Sequence, residues 1–227
     1  IKIKIINYKK KKSLNYQLKI NGNYNKKFCL NIKKISLLSK NNSLITNDLK
    51  INDKPIKIDF INYKKNKNLN SQLKINGNYN KKFGLDFKKI SLLSKNNSLI
   101  VNDLKIDRNN KLLKVDKIVL DYFDNDDLKN KFTINRTKNN NYELKGSFLN
   151  ADPIITRLLE SKDDQQLNIF KENIIISLNV SDVYLDNNNV IKNLKGKLQI
   201  IDNKIDQADI SALFDKNNNI TFSINTK

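Results

Sequence analysis

The sequence predicts an all-β, mainly antiparallel fold with one short helix, and three observations carry that expectation. Apolar and polar residues alternate with period two through about fifteen short segments. A unit of 55 residues occurs twice near the start of the chain. Clusters of Asn, Asp and Gly punctuate the alternating segments, as tight turns require.

The tandem unit comes first. Residues 1–50 and 56–105 agree at roughly four fifths of aligned positions, with Tyr8 matching Tyr63, Gly22 matching Gly77 and Phe28 matching Phe83. The expected organisation is therefore two repeats, 1–55 and 56–110, followed by residues 111–227 as a continuation of the same sheet. A recent duplication and an assembly error in the source sequence both produce such near-identity. Within the first copy, Gln17 to Ile20, the Asn21-Gly22 pair, and a strand carrying Phe28, Leu30 and Ile32 read as a hairpin, because Asn-Gly supplies positive φ angles. Ser36 to Ser43 reads as a bend. The second copy repeats the pattern through Leu73 and Ile75, then Phe83, Leu85 and Phe87.

Beyond residue 110 the alternation persists without the repeat, through Ile118, Leu120, Tyr122, Phe132 and Ile134. Asp124 to Asp127 and Asp186 to Asn189 read as solvated turns between antiparallel strands. At Leu144 to Glu160 the period changes. Tyr142, Leu144, Gly146 and Phe148 alternate, after which Asp152 can cap, Pro153 suits a first helical position, and Ile154, Ile155, Leu158 and Leu159 form one stripe. A helix of about two turns at 152–160 follows, too short to stand alone. After a polar stretch, Ser161 to Gln166, strands resume with Ile174, Ile176 and Leu178, then Leu198 and Ile200, then Phe222.

The 227 residues include 43 Lys and Arg against 23 Asp and Glu. The excess is confined to residues 1–110, where 26 basic residues face 6 acidic ones, against 17 and 17 in the remainder. Such a field suits anionic lipid or nucleic acid. An AT-rich genome also enriches Lys, Asn and Ile, and these lysines alternate with apolar residues as solvent-facing strand positions do. No Met is present and the first strand begins in mid-pattern at Ile1, so a fragment of a longer chain is expected.

Catalytic chemistry has little to stand on. The chain has no His, which removes the usual general base and His-dependent nucleophilic triads. Cys29 is the sole cysteine, so no intrachain disulfide forms. Asp121, Asp124, Asp126 and Asp127 lack the central Gly and distal Glu of a calcium loop. Lys81 to Phe87 departs from the RNA-binding aromatic signature, so nucleic acid is not the expected partner. The expectation is a non-enzyme without metal or cofactor.

Lys145-Gly146-Ser147-Phe148, Ala151-Asp152-Pro153, Leu158-Leu159, Asn193 to Leu198 and the strand from Ala208 to Phe214 together resemble the AsmA-like superfamily, most closely the central domain of YhdP-type proteins of alphaproteobacterial envelopes. The likeness covers roughly the last third of the chain. It implies an elongated, curved β-sheet forming a hydrophobic groove, in a periplasmic protein anchored to the inner membrane of a Gram-negative bacterium by a segment outside this one. It further implies non-enzymatic phospholipid transport toward the outer membrane in envelope biogenesis. Candidate groove-lining residues are Leu18, Ile20, Phe28, Leu30, Ile32, Leu73, Ile75, Phe83, Leu85, Phe87, Ile174, Ile176, Leu178, Leu198, Ile200 and Phe222. The alternative is a structural β-repeat scaffold whose basic face meets anionic partners, nucleic acid or a membrane surface.

Overall fold

Strand-forming residues dominate the chain, and a computed structural model shows them paired, among the described residues, into one large sheet and three separate two-stranded ones. It describes residues 56–58, 61–65, 70–80, 84–109, 111–138, 140–160, 173–202, 204–214 and 218–226, and the backbone alone for 17–21, 24–25, 29–30, 34–38 and 43–50. Side chains of 57, 79, 80 and 157–160 are also outside the description.

The first copy contributes β1 (Gln17–Asn21), β2 (Tyr24–Asn25), β3 (Cys29–Leu30), β4 (Lys34–Leu38) and β5 (Ser43–Lys50). The second contributes β6 (Ile56–Ile58), β7 (Tyr63–Lys65), β8 (Ser71–Asn80), β9 (Gly84–Ser94) and β10 (Ser98–Ile106). Then follow β11 (Leu112–Lys114), β12 (Lys117–Phe123), β13 (Lys129–Arg136), β14 (Asn141–Asn150), α1 (Asp152–Glu160), β15 (Ile174–Tyr184), β16 (Val190–Ile201), β17 (Lys204–Leu213) and β18 (Asn219–Asn225). Eleven strands lie side by side in the order β18-β17-β16-β15-β14-β13-β12-β10-β9-β8-β5, and β11 pairs beside β12 on β10. At about 4.8 Å per strand the row is on the order of 50 Å wide.

The repeat is visible in the pairing. Leu18 faces Leu37 and Ile20 faces Ile35 across β1 and β4, and 55 residues later Leu73 faces Leu92 and Ile75 faces Ile90 across β8 and β9. Tyr24 opposite Leu30 and Asn25 opposite Cys29 likewise match Tyr79 opposite Leu85 and Asn80 opposite Gly84. These stretches keep their registers, but the last strand of each copy does not keep its partner: β5 pairs with β8, whereas its copy β10 pairs with β9 and β12.

Three local expectations are corrected. Asn76-Gly77, the second copy of the Asn-Gly pair, is no turn: β8 runs through it, with a register shift between the two residues. Gly77 lies opposite Phe87, where a Cβ would come within 2.8 Å of the Phe87 Cα, so the glycine serves close strand approach and not a reversal. The reversal comes between Asn80 and Gly84, and Gly84 has φ of 102°. Ser91 to Ser94, the second copy of the start of the supposed bend, belongs to β9, and only residues 95–97 separate it from β10.

The third correction concerns the helix. β14 and β15 are parallel, Leu144 opposite Leu178, so the meander is interrupted there and α1 lies in the crossover that a parallel pair needs. The first helical N–H is met by Asn150 Oδ1 at 3.1 Å, while Asp152 Oδ1 accepts from the Thr156 hydroxyl at 3.2 Å. Asn150 thus supplies the cap expected of Asp152. The Ser161 to Gln166 stretch lies outside the described residues.

The two faces of the sheet differ as the alternation requires. On the polar face, Lys105 Nζ lies 3.2 Å from Asp86 directly opposite, Lys145 lies 2.8 Å from Glu143, and Lys129 pairs with Asp121. These are exposed or half-exposed pairs of small individual value. The apolar face carries the core.

Candidate functional site

The registers assemble the apolar face into rows that cross the strands. One row runs Leu73, Leu92, Leu99, Leu120, Phe132, Gly146, Val180, Leu194, each opposite the next on the neighbouring strand. Leu92, Leu99, Leu120, Phe132, Val180 and Leu194 are all buried. A second row, one step along the strands, runs Ile75, Ile90, Val101, Ile118, Ile134, Leu144, Leu178, Gly196, Ile210, Phe222. Every member from Ile75 to Ile210 is half-buried, and Phe222 is 52% exposed. The molecule therefore holds a sealed apolar row beside a half-open one that spans ten strands.

The difference has a local cause. Near the sealed row, the residues around β6 and β7 cover the face: Ile56 and Ile61 pack on the cluster, and the Tyr63 ring meets Tyr122 edge-on at 5.6 Å. The Tyr122 hydroxyl donates to the Ile61 carbonyl at 2.8 Å. Desolvation, and secondarily the Asp124 charge, holds the Tyr122 phenol protonated far above its ordinary range. Burial also raises the Tyr63 phenol, opposed by Asn97 and Ser94. This end of the face is closed.

Beneath it lies a buried polar node. Asp124 Oδ1 accepts from the Asp126 and Leu128 N–H groups at 2.9 Å each, and Oδ2 from Asn130 at 3.2 Å and Asn150 at 2.7 Å. Asn130 Oδ1 in turn accepts the Asn150 N–H at 2.8 Å. The turn is exposed at Asn125, Asp126 and Asp127, as expected, but Asp124 itself is buried and ties the β12–β13 turn to the start of α1. Among the described residues no group of three or more acidic or Cys side chains is placed to hold a metal ion.

Most candidate lining residues that the structure describes lie in these rows or directly beside them. Ile75, Leu178 and Phe222 lie on the half-open row, whereas Leu73 begins the sealed one. Ile176 and Leu198 face each other beside the half-open row, Ile174 faces Ile200 one step further, Leu85 faces Ile106, and Phe87 faces Leu104. Of these Phe87 and Ile174 are buried. Leu18, Ile20 and Leu30 are described by backbone alone, and Phe28, Ile32 and Phe83 lie outside the described residues.

Sequence reasoning missed Ile90, Val101, Ile118, Ile134, Leu144 and Ile210 as parts of one track. Their alternation is plain, but their alignment depends on slips in phase. Asp103 (φ 48°) lets Val101 and Leu104 share one cluster, and Asn193 (φ 52°) does the same for Ile191 and Leu194. Apolar residues three apart around an Asn or Asp were the available signal, since these residues tolerate the left-handed region best after glycine. No family model, curated protein or solved structure matches this chain. Among the described residues no helix is long and apolar enough to cross a membrane.

Proposed function

We propose that this chain is a non-enzymatic, lipid-conducting segment of the AsmA-like kind, carrying phospholipid acyl chains along the half-open row while head groups remain in solvent. The observation that carries the reading is the row itself: across ten strands it is aliphatic apart from Gly196 and the terminal Phe222, half-buried from Ile75 to Ile210, and it ends on the exposed Phe222. Apolar side chains left partly open in one continuous line offer a surface on which an acyl chain can pack. Partitioning of an acyl chain is favourable by about 0.8 kcal/mol per buried methylene and needs no specific contact. The curved groove, the place in the periplasm between inner and outer membranes, and the anchor beyond this segment belong to the same proposal, and rest on the resemblance at Lys145 to Phe148, Ala151 to Pro153 and Asn193 to Leu198.

The scaffold reading through a basic face draws less support. Four lysines on the polar face, Lys88, Lys105, Lys129 and Lys145, are engaged by Asp103, Asp86, Asp121 and Glu143 respectively.

The test is photocrosslinking in cell envelopes with a probe at Leu144 or Leu178 on the half-open row, and at Leu120 on the sealed row as control. Lipid adducts at 144 and 178, with none at 120, are expected. Leu144→Asp should abolish adducts at 178 with a modest loss of melting temperature, because a half-exposed carboxylate keeps some water. Absence of lipid adducts along the row would sink the proposal.

A further inference from the structure

Arg136 stands on the apolar face of the sheet. It follows Ile134 by two positions on β13, so the two side chains share a face. Across the strands Arg136 lies opposite Tyr142, and the line continues through Ile176, Leu198 and Ala208. Tyr142 and Ala208 are buried, and Ile176 and Leu198 are half-buried. A guanidinium is thus set into an apolar row that runs directly beside the Ile118, Ile134 and Leu144 stretch of the half-open one.

The surroundings neutralise this cation only in part. Asp116 Oδ1 lies 3.8 Å from Arg136 Nη1, beyond hydrogen-bond distance. The other Asp116 oxygen is 2.8 Å from Lys114 Nζ, so one carboxylate is shared by two cations and one positive charge is left over. Glu143, next to Tyr142 in the chain, belongs to the polar face and pairs with Lys145. Arg136 Nη2 donates to Asn140 Oδ1, while its Nε N–H is buried with no partner. An unmade bond at a buried donor is costly, and more so at a charged group. The guanidinium fork matches the oxygens of a phosphate. The Arg136 side chain is 27% exposed and that of Lys114 31%, so a ligand at the surface reaches both.

We infer that Arg136, with Lys114 beside it, forms a phosphate oxyanion site that holds the head-group phosphate of a phospholipid whose acyl chains lie on the half-open row. Asp116 competes with the phosphate for the same two cations. The inference rests on the lipid-conducting reading and adds an orientation to it: phosphate on the Tyr142 side of the row, tails on Ile134 and Leu144.

The experiment follows the 227-residue chain by NMR during titration with dihexanoylphosphatidylcholine, with octyl maltoside as an amphiphile without phosphate, and with inorganic phosphate. The chain has three arginines, and the Arg136 Nε–H resonance is the one missing from Arg136→Gln. The phospholipid and inorganic phosphate should shift it, and the maltoside should not. Binding is read in parallel at the Leu144 and Leu178 amides. There Arg136→Gln should weaken the phospholipid about tenfold, the value of one charge-assisted hydrogen bond, and the maltoside should not follow. Asp116→Asn keeps the side-chain shape and removes the competitor, so it should tighten the phospholipid, a gain that damage to the fold does not produce. Binding of both amphiphiles with a phospholipid affinity indifferent to the two substitutions would overturn this inference and leave the conducting row standing. Inorganic phosphate binding as tightly as the phospholipid would assign the site to the free ion and overturn the lipid link. Failure of both amphiphiles to bind would overturn the conducting row itself, and this inference with it.

Discussion

The same turn occurs at Asp107 and at Asp124, and only one of the two is tied into the body of the protein. In each, the Asp Oδ1 accepts the N–H groups two and four residues on, Asn109 and Lys111 in one case, Asp126 and Leu128 in the other, at 2.8 to 2.9 Å. In each, the Asp N–H donates to the carbonyl four residues on, at 2.9 and 3.0 Å. The turns differ in what lies behind them. Asp107 is half-buried at the surface, whereas Asp124 is 5% exposed and its second oxygen is bonded to Asn130 and Asn150. A turn motif is a local device, and its energetic weight is decided by the strands that cross behind it.

The largest expected effect separates the two turns. Asp124→Ala leaves two buried amide groups and two turn N–H groups without their acceptor, and should cost about 3 kcal/mol or more in denaturant unfolding. An effect no larger than that of Asp107→Ala would erase the contrast. Next, Asn150→Ala removes the bond to Asp124 and the acceptor for the first helical N–H, for an expected loss of about 2 kcal/mol. Hydrogen exchange at the start of α1 should rise with it, and protection left unchanged there would show that the node does not hold the helix.

Asp107→Ala should cost about 1 kcal/mol, the value of a partly solvated turn acceptor. Its melting shift, compared with that of Asp124→Ala, measures what the buried partners add. The smallest effect is expected at Asp186, an exposed turn aspartate of a related kind whose Oδ1 accepts the N–H groups two and three residues on. Its carboxyl is held below the ordinary range first by the Asn189 side chain, 2.7 Å away, and then by the Asn188 and Asn189 N–H groups. A depressed folded value means that the stabilisation is present above the unfolded pKa of about 3.9 and is lost as pH falls through the lower folded value. Carboxyl NMR titration should find Asp186 below the ordinary Asp value, and a value at or above it would break the assignment.

Much of the architecture was legible because it is written in local periods. Alternation at Leu73 and Ile75 or at Ile118 and Leu120 identifies strands without any knowledge of their partners, and the registers of β1 with β4 and of β2 with β3 recur in β8 with β9. The change of period at Asp152 located the helix. Asn76-Gly77 misled because the same dipeptide serves a tight reversal or a close strand approach, and Phe87 on the neighbouring strand decides between them. The half-open row was legible only in pieces. Ile134 and Leu144 each read as strand interior, and nothing near either residue states that they adjoin.

By itself, then, the amino-acid sequence determined the all-β class, the repeat, the position of the one described helix, and the turns at Asp124 and Asp186, since all of these depend on residues within a few positions of one another. The tertiary structure alone decided that β14 and β15 run parallel, that Asp124 is buried while Asp186 is not, and that Leu120 is sealed while Leu144 is half-open. Each of these depends on which distant segment lies across a strand, and a residue's spacing along the chain carries no record of what covers it.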